Sequence, residues 1–103
     1  MKKTISVAPM MDCTDKHERY FLSLISKNLH LYSEMIVSNA IIRGDRDKIL
    51  SFKKVENPTI LQLGGSNPKE LAEACKISEQ YGYSEINLNL GCPSKKVQKN
   101  KFG

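Results

Sequence analysis

No apolar run in this 103-residue chain approaches the 20 or so residues that a membrane-spanning helix takes. The N-terminal stretch MKKTISVAPMMD carries two lysines but no apolar segment behind them, and Asp12 interrupts it early. It does not read as a secretory signal. Cys13, Cys75 and Cys92 are odd in number, widely spaced and without a CxxC pair, which argues against a disulfide framework or a four-cysteine zinc site and fits a reducing cytoplasm. Histidine is as scarce, with only His17 and His30, so metal chemistry has little to build on. Neither GxGxxG nor GxxxxGK[ST] follows any strand candidate, and the usual nucleotide fingerprints are therefore missing. There is no low-complexity segment, short repeat or obvious linker to divide the chain.

What is present reads as one soluble globular unit: 26% charged and 40% hydrophobic residues. Sixteen Lys and Arg against eleven Asp and Glu leave a net charge of +5. That charge suits a polyanionic partner such as nucleic acid, and equally a merely basic soluble protein.

Strand candidates lie at 4–11 (TISVAPMM), 31–38, 58–65 and 84–91. Between them, 14–29 has the pattern of a helix capped by Thr14, with Phe21, Leu24 and Ile25 on its inward face. Residues 39–57 are mixed, with a short helix expected in DRDKILSFKK. The clearest local signal is SNPKELAEACKISEQYGY: Asn67 as cap, Pro68 at the first helical position, Glu70 completing a capping box, and Gly82 as the left-handed stop. Leu71, Ala74, Cys75 and Ser78 line its buried face. Residues 92–103 read as loop.

This alternation predicts parallel β/α units. A complete (β/α)8 TIM barrel takes roughly 250 residues, so about four parallel strands with intervening helices match its N-terminal half. The competing reading is a complete small doubly wound domain.

Within EINLNL, Ile86, Leu88 and Leu90 share one face, and Glu85, Asn87 and Asn89 the other. In TILQL, Thr59, Leu61 and Leu63 oppose Ile60 and Gln62. Strands covered on both faces are expected to be apolar, so Gln62, Asn87 and Asn89 need partners. An unpaired buried amide costs roughly 1–3 kcal/mol. Bonding to backbone or to one another is ordinary for any single amide, but three at matching late positions point to the strand ends. Pro9, Met10 and Met11 offer a rigid, polarizable ledge there, and Gly64 and Gly65 permit close approach to a flat ligand.

SVAPMMDCTD at 6–15, TILQLGG at 59–65 and EINLNLGCPSKKVQKNKFG at 85–103 carry a resemblance. The chain resembles the N-terminal part of a tRNA-dihydrouridine synthase of the A-type subgroup, over nearly its whole length. The resemblance implies an FMN-binding barrel, of which residues 1–103 form the first portion, followed in the family by a C-terminal helical domain. It implies reduction of D-loop uridine in tRNA, with NADPH as electron donor, by a cytoplasmic protein that is a monomer at full length and needs neither metal nor membrane. Pro9, Met10, Met11 and Gln62 are expected to bind FMN, Asn89 to contact the target uridine, and Cys92 to be the catalytic proton donor.

Hydride addition to C6 of uracil leaves C5 in need of a proton. A free thiol, with a pKa of about 8.5, is mostly S–H at neutral pH and close enough to it to act as a general acid. The target base must leave its stack to be reached. Lys95, Lys96, Lys99 and Lys101 crowd the same loop and are expected to face tRNA phosphates rather than the sulfur. Two alternatives stand beside this reading: an FMN-barrel reductase of a small conjugated substrate such as a free pyrimidine, and a non-catalytic RNA-binding remnant. The 103 residues alone are expected to be inactive.

Overall fold

A computed structural model describes residues 3–100. Four strands form one sheet: β1 (Ile5–Val7), β2 (Leu29–Val37), β3 (Thr59–Gly64) and β4 (Glu85–Leu88). Their spatial order is β1-β2-β3-β4 and every pair is parallel. A doubly wound sheet reverses its strand order partway across. This one advances in chain order throughout, as barrel strands do, so the doubly wound alternative is set aside.

Five helices connect and follow the strands: α1 (Lys16–Ile25), α2 (Ser38–Arg43), α3 (Arg46–Leu50), α4 (Pro68–Ser78) and α5 (Lys95–Asn100). Leu61 and Leu63 of β3 point outward to meet Ile41, Leu50 and Ala74 from the helices, and all five are essentially inaccessible. Burying each large side chain among them stabilises by about 1.5–3 kcal/mol. The opposite face of β3 carries Ile60 and Gln62, in accord with the period-two reading.

α4 forms as its sequence predicts. Asn67 accepts from the backbone N–H of Lys69 and Glu70, Pro68 opens the helix, Ala74 and Ser78 are fully buried, and Leu71 and Cys75 pack against the core. Glu70 does not close a capping box; its carboxylate lies 3.6 Å from Arg43. A short 3-10 turn, Glu79–Tyr81, intervenes before Gly82 stops the chain at φ 91°.

Other expectations are corrected. The cap of α1 is Asp15, which accepts from the N–H groups of His17 and Glu18, while Thr14 is buried and used elsewhere. Phe21, Leu24 and Ile25 are 61%, 69% and 65% exposed, and the buried residue of α1 is Arg19. Among the described residues nothing covers that flank, which also exposes Ile5 beside the β1 edge; Leu88 and Leu90 are exposed at the β4 edge. Both edges are ones that a closed barrel pairs and covers. Residues 39–57 hold two short helices rather than one. His30 lies in β2, and the stretch after Cys92 folds into α5 around buried Val97. Lys101 and the terminal FG lie outside the described residues.

One irregularity shapes the site. β2 starts in register with β3, Tyr32 opposite Ile60, but resumes with Met35 opposite Gln62. Three residues of β2 thus span two of β3, a β-bulge at Ser33–Glu34. In the bulge, buried Ser33 accepts the Gln62 N–H through its hydroxyl at 3.0 Å, so that donor is not orphaned.

Candidate active site

The C-terminal ends of all four strands open onto one cleft of about 490 Å³. The loop after β1 contributes Pro9, Met11 and Asp12, and the end of β2 contributes Met35 and Val37. Gln62 of β3 lines it, with Asn89 and Cys92 from beyond β4 and Ser94, Lys96 and Val97 around the start of α5. Its size lies in the range of small-molecule sites.

The bulge decides what stands beside Gln62. Continued from Tyr32 without it, the register would set Glu34 opposite Gln62; with it, apolar Met35 takes that position. Glu34 instead reaches the loop after β1, where its carboxylate accepts the Asp12 N–H at 2.6 Å.

That loop is held at further points. The hydroxyl of Thr14 accepts from Met10 N–H at 3.0 Å and donates to the Met10 carbonyl at 3.2 Å, and the Cys13 and Thr14 N–H groups donate to the same carbonyl. Arg19, nearly buried, donates to the Thr14 carbonyl at 2.8 Å. Burial pulls the Arg19 pKa below its ordinary value, offset in part by Tyr83 and by the carboxylates of Asp15, Glu34 and Glu18. Met10 itself is half-exposed and does not line the cleft, whereas Pro9 and Met11 do.

The three amides singled out in the sequence meet one another. Gln62 Nε2 donates to Asn87 Oδ1 at 2.7 Å, and Asn89 Nδ2 donates to Gln62 Oε1 at 3.3 Å. Asn89 Oδ1 accepts the Gly91 N–H at 3.0 Å. That last bond ties the Asn89 side chain to the backbone just before Cys92, which is half-buried in the cleft wall. Gly64 and Gly65 do not line the cleft. A Cβ at Gly65 would lie 2.6 Å from Ser38 Oγ and 3.2 Å from Leu71, so its bareness serves helix packing.

The cleft therefore gathers Pro9, Met11, Gln62, Asn89 and Cys92 and leaves Met10 at its margin. Cys13 is exposed, and Cys75 packs against the core, where burial pushes its thiol pKa up, reinforced by Glu79. Lys96 lines the cleft with Cys92, while Lys95 and Lys99 are exposed on α5. Arg43 is engaged within the fold, with Asn39 and Glu70. Met35 and Glu34 were not singled out from the sequence, and Thr14 was expected there only as a helix cap. Only the acidic residue within an apolar strand, Glu34, left a trace that could have been followed. Among the described residues no three His, Cys, Asp or Glu side chains group as a metal site, and no helix is long and apolar enough to cross a membrane.

The sequence model described as "Dihydrouridine synthase (Dus)" matches residues 6–103. Proteins named "tRNA-dihydrouridine(20/20a) synthase" are similar throughout. The one from Synechocystis sp. is 54% identical over 99 residues, covering 96% of this chain and 30% of the relative. That from Escherichia coli is 55% identical over 98 residues (95% and 28%), and that from Pseudomonas aeruginosa 48% over 103 residues (100% and 31%). The chain spans about 30% of the length of these curated relatives.

Proposed function

The chain belongs to the dihydrouridine synthase family, and from that premise we propose that it is the first part of a flavin-dependent barrel enzyme that reduces uridine in tRNA to 5,6-dihydrouridine. The names of its relatives point to tRNA positions 20 and 20a as the targets. The enzyme works in the cytoplasm as a monomer, with NADPH as reductant. One observation carries the reading: a half-buried thiol, Cys92, opens into the same cleft as the Gln62 and Asn89 amides and the Pro9–Met11 ledge.

The residues present fit a flavin. Pro9, Met11, Met35 and Val37 give apolar surface for a flat ring. The Gln62 amide spends one N–H and one lone pair on its asparagine neighbours, leaving one donor and one acceptor side by side. A heterocycle edge with C=O beside N–H, as flavin FMN has, complements that pair. Pro9, Met11 and Gln62 would hold the ring, with Met10 kept between them by its backbone bonds to Thr14. A flavin held there would supply hydride chemistry, with NADPH as the ultimate reductant.

The chain's own groups do the rest. Cys92 gives its S–H proton to C5, so hydride and proton together saturate one C=C bond, and the thiolate left behind regains a proton from solvent. Asn89, whose amide keeps a free N–H and a free lone pair, reads the edge of the uracil. Lys95, Lys96 and Lys99 attract tRNA phosphate, which makes affinity fall with salt.

The test is purification of a protein of the relatives' full length that carries this segment. It is expected to retain flavin and to form dihydrouridine from tRNA with NADPH. A flavin-free protein, or NADPH oxidation that yields no dihydrouridine in tRNA, overturns the reading. Turnover of free uracil in place of tRNA would identify a small-pyrimidine reductase instead.

A further inference from the structure

The polarity of the amide chain is fixed at one end by a group that has no choice. A backbone N–H only donates, so Gly91 obliges Asn89 to present its oxygen to the turn and its NH2 to Gln62. Gln62 must then turn its oxygen toward Asn89 and its NH2 toward β4. A flipped Gln62 would set NH2 against NH2. Opposite Gln62 in the β3–β4 register stands Asn87, whose oxygen receives that NH2 at 2.7 Å, the shorter of the two contacts. Gln62 is only 7% exposed, so an unreceived NH2 there has little water to turn to. Asn87 sits on a face that barrel strands ordinarily fill with apolar side chains, and Gln62 is the partner that accounts for it.

Resting on the reading of the cleft as a flavin site, we propose that Asn87 is a positioning residue: its carboxamide oxygen holds the Gln62 amide in one orientation, so that the turn carrying Cys92 and the amide facing the flavin form one directed hydrogen-bond chain. The donor and acceptor that Gln62 has left then face the cleft in a fixed order, which matches a ring edge one way round only.

The experiment measures the flavin dissociation constant of the full-length protein after flavin is stripped, by fluorescence titration, with the denaturation midpoint recorded alongside. Asn87→Leu removes the accepting oxygen and is expected to weaken flavin binding about tenfold, the scale of one lost hydrogen bond. Asn87→Asp keeps an accepting oxygen and is expected to rescue most of that loss. Asn87→Ala serves the same purpose should the leucine variant not fold. In a Gln62→Ala background the Asn87 substitution is expected to add nothing further, because the two residues act as one unit. Unchanged affinity in Asn87→Leu or Asn87→Ala overturns the proposal, as does a full loss in Asn87→Asp, or a loss that persists without Gln62. A wild-type protein with no flavin affinity removes the functional reading and this inference together, whereas flavin binding indifferent to Asn87 removes this inference alone.

Discussion

The carboxylate of Glu34 accepts the backbone N–H of Asp12 at 2.6 Å, joining the bulge of β2 to the loop after β1. Among the described non-glycine residues Asp12 alone has positive φ, at 62°. L-residues enter this left-handed region at a cost of roughly 1–2 kcal/mol, and Asp is among the few that visit it routinely. The contact therefore holds a locally unfavourable turn in the position where Pro9 and Met11 form a wall of the cleft.

Substitutions at two positions separate the contributions to this turn. Asp12→Val sets a β-branched residue at positive φ and is expected to destabilise the intact protein by about 1–2 kcal/mol, while Asp12→Gly is neutral or stabilising. Glu34→Ala leaves the Asp12 N–H without its acceptor and is expected to cost about 1 kcal/mol, with Glu34→Gln recovering part of it. Urea denaturation measures all four; equal stability of the Val and Gly variants would remove strain from the account.

Cys92→Ala is expected to keep its flavin and lose turnover by about 10²–10⁴-fold, the usual contribution of a general acid. Single-turnover formation of dihydrouridine is the measurement, with flavin content as control. Wild-type turnover in this variant ends the proton-donor assignment.

Gly65→Ala tests helix packing beside the site. The added methyl meets Ser38 Oγ at 2.6 Å, and Ser38 is itself buried, so that side chain has little free room to retreat. A loss of about 1–3 kcal/mol is expected by thermal or urea unfolding, and an unchanged midpoint would show that α2 and α4 part readily.

The cap of α1 makes stability depend on acid pH. Hydrogen bonding from the Glu18 N–H is the main cause that holds the Asp15 carboxyl below its ordinary 3.8, with the nearby charges of His17 and Arg19 adding to it. A carboxyl lowered on folding stabilises fully above its unfolded pKa, and that stability fades as pH falls through the folded value. Asp15→Asn keeps a capping oxygen but has no proton to take up, so its stability curve is expected to be flatter than wild type below pH 3.8. Parallel acid unfolding curves for the two proteins would refute this.

How far the site could be read from the chain differs residue by residue. The four strands, the cap and stop of α4, and the alternation that groups Gln62, Asn87 and Asn89 were legible, because each depends on neighbours in sequence. The helix after Cys92 was not, since KKVQKN offers one apolar residue, Val97, and its burial comes from the fold around it. Phe21, Leu24 and Ile25 misled for a related reason: they mark an apolar face, but among the described residues no element packs over it.

By itself the sequence determined the period-two faces of β3 and β4 and the Asn67 cap of α4, since side-chain alternation and capping act over only a few residues. Tertiary structure alone decided that Met35 and not Glu34 stands beside Gln62, and that Glu34 reaches Asp12 instead. Register is a property of two strands brought together, and a single extra residue in one of them exchanges which side chains face the cleft.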